Sequence, residues 1–265
     1  MLLCIGRLLD LEAKYGRTRD QLCRIYLHML HLIERRFGQL ITWWPGLNEP
    51  ARLLTYRAQI TAKECPVPNV YGFVDGTARF ICRPTRNQRA AFSGHKRHHV
   101  IKFQGIATPD GLLPSVMGPY EGRRNDNYML NESGTEALCT QACGCAVVVP
   151  AGGHSCLYAD SGYGIRQHVL TPYPGAAGLH AEDPHRRFNE QMAKVRISNE
   201  WFYGTVTAQW SKVDFNRKNR LFLSPIGIEY RVAIFLTNLF TCLYGNVTSR
   251  YFNCQPPSIR VYLRL

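Results

Sequence analysis

The sequence is short of acid: 19 Asp and Glu stand against 32 Lys and Arg, a formal net charge of +13. That balance favours a polyanionic partner, nucleic acid above all, although a generally basic enzyme surface has the same sign. Also missing is any apolar run of the ~20 residues a membrane helix needs, so no membrane span is expected. The apolar opening MLLCIGRLLDLEAKYG is interrupted by Arg7 and Asp10, with no small-residue cleavage site behind it, so no signal peptide is read. Internal repeats and low-complexity tracts are absent. The ten cysteines show no framework spacing, which points to reduced thiols. Cys139, Cys143 and Cys145, with His154 and Cys156, fit no common zinc finger; zinc and small buried side chains are the two readings. Hydrophobic residues make up 45%, enough for a packed core and too many for a disordered chain.

What is present falls into four stretches. Residues 1–45 read as helical: Gly16 stops a first helix, and Thr18 with Gln21 forms a capping box for a second. Leu22, Tyr26, Met29 and Ile33 fall on one face of that second helix, which also carries Arg19, Arg24, Arg35 and Arg36. The pair fits either a helix-turn-helix that reads DNA or a helical hairpin packed on the main domain. Residues 46–69 read as a connector, beside which Trp43 and Trp44 are expected to dock. Residues 70–245 read as the main domain and 246–265 as a tail. In the main domain NVYGFV, HVIKFQGIA and LLPSVMG are strands, the last two joined as an antiparallel hairpin by the turn Thr108–Gly111. NDNYMLNES is a short helix and HSCLYAD a fourth strand. Asp183 and Pro184 start one long helix with an apolar stripe of Phe188, Met192, Val195, Phe202 and Val206. EYRVAIFLTNLFTCLYG is a final helix, apolar on most sides and so buried.

Three acids stand out by position. Asp75 ends the first strand, Asp160 ends the fourth, and Glu200 lies on the long helix after it. Three strands, a helix, a fourth strand and an acid-bearing helix is the element order of an RNase H-like α/β fold, whose first and fourth strands are neighbours. Clustered carboxylates raise one another's pKa and stay ionised together only around a cation. All-oxygen ligands favour Mg²⁺ or Mn²⁺, a setting suited to phosphodiester chemistry. Each acid also has an ordinary reading: a turn former at Asp75, a helix cap at Asp126, and a Glu200–Arg196 pair on one helix face.

GFVDGTARFICRP, FSGHKRHHVIKFQGIATPDG, GRRNDNYML, YADSGYG and FNEQMAKVRISNEWFYG occur in that order between about residues 70 and 245. In them the chain resembles the DDE transposases of the PIF/Harbinger type, the DDE superfamily endonuclease domain. The resemblance implies an RNase H-like mixed sheet with flanking helices that cuts and joins DNA with Mg²⁺ or Mn²⁺. It places Asp75, Asp160 and Glu200 in the catalytic triad, and Asp126 at a further acidic position that can join the metal. It implies transposon ends and target DNA as substrates, a separate Myb-like DNA-binding partner, homo-oligomers and action in the nucleus. Departures from the family pattern at Ala78, Asn125, Gly164 and Trp201 remove no carboxylate; the alternative they leave is a domesticated or decayed copy acting as a non-catalytic DNA- or protein-binding module. Lys96, Arg97 and Lys102, before and within the second strand, are expected to contact phosphate, and Lys212, Arg217 and Lys218 form a second basic group.

Overall fold

The computed structural model describes residues 8–144, 154–214 and 219–265. Its centre is a six-stranded mixed sheet: β1 (Val70–Phe80), β2 (Phe92–Ser93), β3 (His98–Ala107), β4 (Ser115–Glu121), β5 (Cys156–Tyr158) and β6 (Val169–Leu170). β3 pairs antiparallel with β1 on one side and with β2 and β4 on the other. β5 joins β1 in parallel and β6 joins β5 in parallel. The order β4-β3-β1-β5-β6 is that of the RNase H-like fold. It sets β1, which carries Asp75, beside β5, which ends two residues before Asp160.

The helices are α1 (Leu8–Tyr15), α2 (Arg19–Thr42), α3 (Pro50–Thr61), α4 (Gln88–Ala91), α5 (Asp126–Glu132), α6 (Thr135–Gly144), α7 (Pro184–Arg196), α8 (Ser198–Gln209), α9 (Ser211–Asp214), α10 (Ile226–Tyr244), α11 (Val247–Phe252) and α12 (Ile259–Leu263). The capping box forms as read, with the Gln21 amide donating to Thr18 Oγ1 and the Thr18 amide to Gln21 Oε1. The turn at Thr108–Gly111 joins β3 to β4, with Gly111 at φ +80°.

Four local expectations change. β1 does not end at Asp75: it runs on to Phe80, because Gly76 to Phe80 pair in register with Gln104 to Val100 of a long β3. The glycine and threonine after Asp75 resemble a turn in isolation, but pairing overrides local preference. The long helix is two helices, α7 and α8, which meet at Ile197. There Ser198 Oγ donates to the Val195 carbonyl at 2.8 Å, a side-chain bond that competes with the helical ladder and bends helices. α6 lies in a stretch with no helical expectation; its Thr135 accepts from Gln104 Nε2 on β3 at 2.9 Å. The tail is helical in α11 and α12.

Two apolar clusters hold the sheet. One joins α2, β3, β4, α8, α10 and α12 around Phe103, Phe202, Tyr230 and Phe235. The other joins α3, β1, β5, α7 and α11 around Tyr56, Phe73, Leu157, Met192 and Phe252. α10, with 19 residues, is long and apolar enough to cross a membrane by those measures alone. In this fold it is instead a core helix, and its charges are paired. Glu229 accepts from Tyr26 at 2.6 Å and meets Lys212 Nζ at 2.8 Å, while Arg231 meets Glu34 at 2.9 Å. Phe37 stacks on Phe235 at 4.9 Å. α2 therefore packs along α10, the second of its two sequence readings. Cys139 and Cys156 lie in the second cluster, and burial pushes both thiols up to about 12. They are small buried side chains, and Cys145 lies outside the described residues.

Candidate active site

Asp75 sits in the middle of β1, opposite Gly105 of β3. Its Oδ1 accepts from the Gly76 amide at 2.9 Å and lies 3.8 Å from Arg196 Nη1 at the end of α7. Tyr203 of α8 donates to the Asp75 carbonyl at 3.3 Å. Burial raises the Asp75 carboxyl to about 6; Arg196 and the Gly76 amide pull it down, and the charges of Asp160 and Asp126 push it further up. Arg196, the sequence-level partner for Glu200, thus serves Asp75.

Asp126 opens α5, where the cap is Asn125, whose Oδ1 accepts from the Tyr128 amide at 2.8 Å. The cap role is therefore filled by the neighbour, and the Asp126 carboxylate points to the sheet. Two glycines border it. A methyl group at Gly76 would fall 3.0 Å from Asp126 Oδ1, and one at Gly162 would fall 2.9 Å from Asp126 Oδ2 and 3.1 Å from Asp160 Oδ1. Asp160 lies two residues past β5 and turns its Oδ1 onto the Gly162 amide at 2.9 Å. Burial raises the Asp126 carboxyl, Asp160 raises it further, and Lys102, His95 and Lys96 oppose the shift. Asp75, Asp126 and Asp160 therefore share one field at the point where β1 and β5 part. Gly162→Ala is expected to weaken any divalent-metal binding at these carboxylates by tenfold or more, because its methyl crowds Asp126 and Asp160 at once. Calorimetric Mn²⁺ titration of the folded variant checks this; wild-type affinity would mean the carboxylates need not hold these positions.

Tyr163 is the residue that sequence reading missed. Its side chain is buried, its hydroxyl has no hydrogen-bond partner, and it stands 3.5 Å from the methyl position at Gly76. Burial raises its pKa well above the usual range, and Asp126 and Asp75 add to the shift. Tyr163 lies in the stretch YADSGYG that carries the resemblance, but nothing local to that stretch shows that its hydroxyl would face the carboxylates.

Glu200 is exposed in the first turn of α8 and is not drawn into the aspartate group. The expected place of Glu200 beside Asp75 and Asp160 is therefore not met: its position in the first turn of α8 turns it to solvent. Lys102 donates from Nζ to the Arg124 carbonyl at 2.6 Å and is close enough to act on Asp126. Lys96 and Arg97 are exposed on the loop leading into β3, with Arg97 at φ +52°. Lys212 departs from expectation: its ammonium is held by buried Glu229 and lies over the Tyr26 ring at 3.9 Å, because an unpaired carboxylate in that core would be costly. Arg217 and Lys218 lie outside the described residues.

No group of three or more Asp, Glu, His or Cys side chains among the described residues stands gathered around an ion position. The donors nonetheless fit a hard cation. The charges of Asp160 and Asp126 push the Asp75 carboxyl up, Asp160 does the same to Asp126, an orphaned phenol faces them, and two glycines leave the space a Cβ would fill.

An RNase H-like sheet with aspartates on β1 and just beyond β5 defines the class: a nuclease-type α/β domain. A family model described as DDE superfamily endonuclease matches residues 74–238, more than half of the chain, and the chain belongs to that family. No curated protein and no solved structure matches it.

Proposed function

We propose that this chain is a Harbinger-type transposase nuclease. It hydrolyses phosphodiesters at transposon ends and then directs the freed 3′-hydroxyl onto target DNA. The observation that carries the reading is the approach of Asp126 and Asp160 to one another at Gly162, with both charges acting on the buried Asp75 carboxyl, within a chain of the DDE superfamily endonucleases. Asp75, Asp126 and Asp160 would hold Mg²⁺ or Mn²⁺; Glu200, exposed and outside the aspartate group here, would complete the triad and the metal set only by turning inward, and its exposure counts against its role. When bound, the metal supplies an activated oxygen nucleophile and charge stabilisation at the leaving oxygen.

The chain's own groups do the rest. Arg196 and the Gly76 amide favour the ionised form of Asp75, the form able to ligate. Lys96 and Lys102 place positive charge beside Asp126, where a substrate phosphate would sit. A Myb-like protein supplies end recognition, two or more copies act together, and the site of action is the nucleus.

The test is calorimetric titration of Mn²⁺ and Mg²⁺ into wild type, Asp75→Ala and Asp160→Ala, with and without a duplex oligonucleotide. Binding by wild type that both substitutions abolish is expected. A folded wild type that binds neither ion under either condition would overturn the reading.

A further inference from the structure

The structure holds a second feature, away from the carboxylates. A cavity of about 820 Å³ lies between α4, the edge of β3 and β4, and the turn before α10. Buried Val100 and Ile101 form its apolar floor, and exposed Pro119, Arg89 and Phe222 line it with Arg123 and half-buried Tyr120. This volume is within the range of sites for molecules of nucleotide size and far below that of a turn of duplex.

Phe222 is the unusual member. It is 80% exposed and sits at φ +68°, a region that bulky residues rarely enter. The turn that carries it is pinned. Asn219 donates to the Phe80 carbonyl at 3.1 Å and accepts from the Cys82 amide at 2.9 Å, and the Ser224 amide closes on the Arg220 carbonyl at 3.0 Å. A large apolar ring is thus held into solvent in a strained conformation at the lip of a cavity. Such outliers gather at ligand sites.

The charges say which ligand. Glu121, the acid of this rim, is already shared by Arg123 at 2.8 Å and Arg124 at 2.9 Å, and Arg89 adds a further exposed cation. The rim is therefore net positive in a chain of net charge +13. It also leads to the carboxylates. Arg123 is three residues before Asp126, and Lys102 binds the Arg124 carbonyl while acting on Asp126. Along the sheet, Ile101 of the floor pairs with Arg79, four residues past Asp75 on β1, or ~13 Å away at strand spacing.

We propose that this cavity binds unpaired nucleotides of a DNA strand, with their backbone following Lys102, Arg124 and Arg123 away from the carboxylates and their bases stacking on Phe222 and Tyr120. Cationic grooves with aromatic faces are the general means of holding single strands. The direction of the strand rests on the nuclease reading above; the binding itself does not.

The experiment is fluorescence anisotropy with a labelled 12-nucleotide single strand and a blunt duplex of the same sequence. EDTA is present, so that no metal is needed. Phe222→Ala is expected to weaken single-strand binding about tenfold or more, with the salt dependence unchanged. Arg89→Ala/Arg123→Ala is expected to lower the slope of log affinity against log salt by about 1.4, two single-strand phosphate contacts. Phe222, Arg89 and Arg123 lie at the surface, and circular dichroism melts confirm the fold. Single-strand affinities within twofold of wild type for both cavity variants, or a wild type that prefers the duplex, would overturn the proposal. Loss of metal binding with the cavity effects intact would sink the nuclease reading alone; the reverse pattern would sink the cavity alone.

Discussion

Asp75→Asn is expected to make the metal-free protein more stable and to abolish the nuclease activity proposed for it. The carboxyl titrates near 3.8 in the unfolded chain and at about 6 in the fold, where burial is the largest cause. A carboxyl with a raised folded pKa favours folding in its neutral form. That contribution is whole below pH ~4 and is lost as pH rises through about 6. Above pH 6 the ionised side chain costs the metal-free fold about 2–3 kcal/mol, at 1.36 kcal/mol per pKa unit and with some discount for its partial exposure. Asparagine keeps the shape without the charge, so the variant should melt higher than wild type at pH 8 in EDTA, and the gap should close towards pH 4. Mn²⁺ should reverse the order. At a hundredfold excess over its Kd a ligand stabilises by about 2.7 kcal/mol, and the variant cannot collect this. Nuclease activity should fall by ~10²-fold or more, the scale of losing one group that faces developing charge. Thermal melts at pH 4, 6 and 8, with EDTA or Mn²⁺, settle the matter. A variant less stable than wild type at pH 8 in EDTA would mean that Asp75 is a structural acid.

Trp44→Ala should cost about 3–5 kcal/mol, the range for truncating a large buried aromatic. Trp44 is 1% exposed. Its Nε1 donates to the Tyr262 carbonyl at 3.0 Å and its amide to the Pro114 carbonyl at 2.7 Å. Its ring lies 5.6 Å from Tyr262 and 4.7 Å from the Arg52 guanidinium. One residue thus ties the end of α2 to the β3–β4 hairpin and to the tail. At 2–4 °C per kcal/mol for chains of this size, the melting point should drop by about 10 °C. Trp43→Ala should cost less, since that ring is only partly buried and bonds locally to Asn48 Oδ1 at 3.0 Å. Equal melting points for Trp44→Ala and wild type would show that the N-terminal helices are not part of the cooperative unit.

Both sites show how far the chain can be read without its fold. Thr18, Gln21, Asp183, Pro184 and the turn at Thr108–Gly111 act on backbone within four residues, so their caps and hairpin were legible. The element order was legible too, and with it the neighbouring of β1 and β5 that makes Asp75 and Asp160 a pair. Both tryptophans were rightly read as docking; which one is buried was not. The sequence alone determined the acids, the basic balance and the strands that carry them. Only the tertiary structure decided that β1 runs past Asp75, that Arg196 turns to Asp75, that Lys212 serves Glu229, and that Tyr163 faces three carboxylates with a free hydroxyl. The reason is range. A cap or a turn is set by bonds between near neighbours, whereas these contacts join residues far apart in sequence. Burial then fixes which charges must find a partner, and no local pattern encodes where that partner will be.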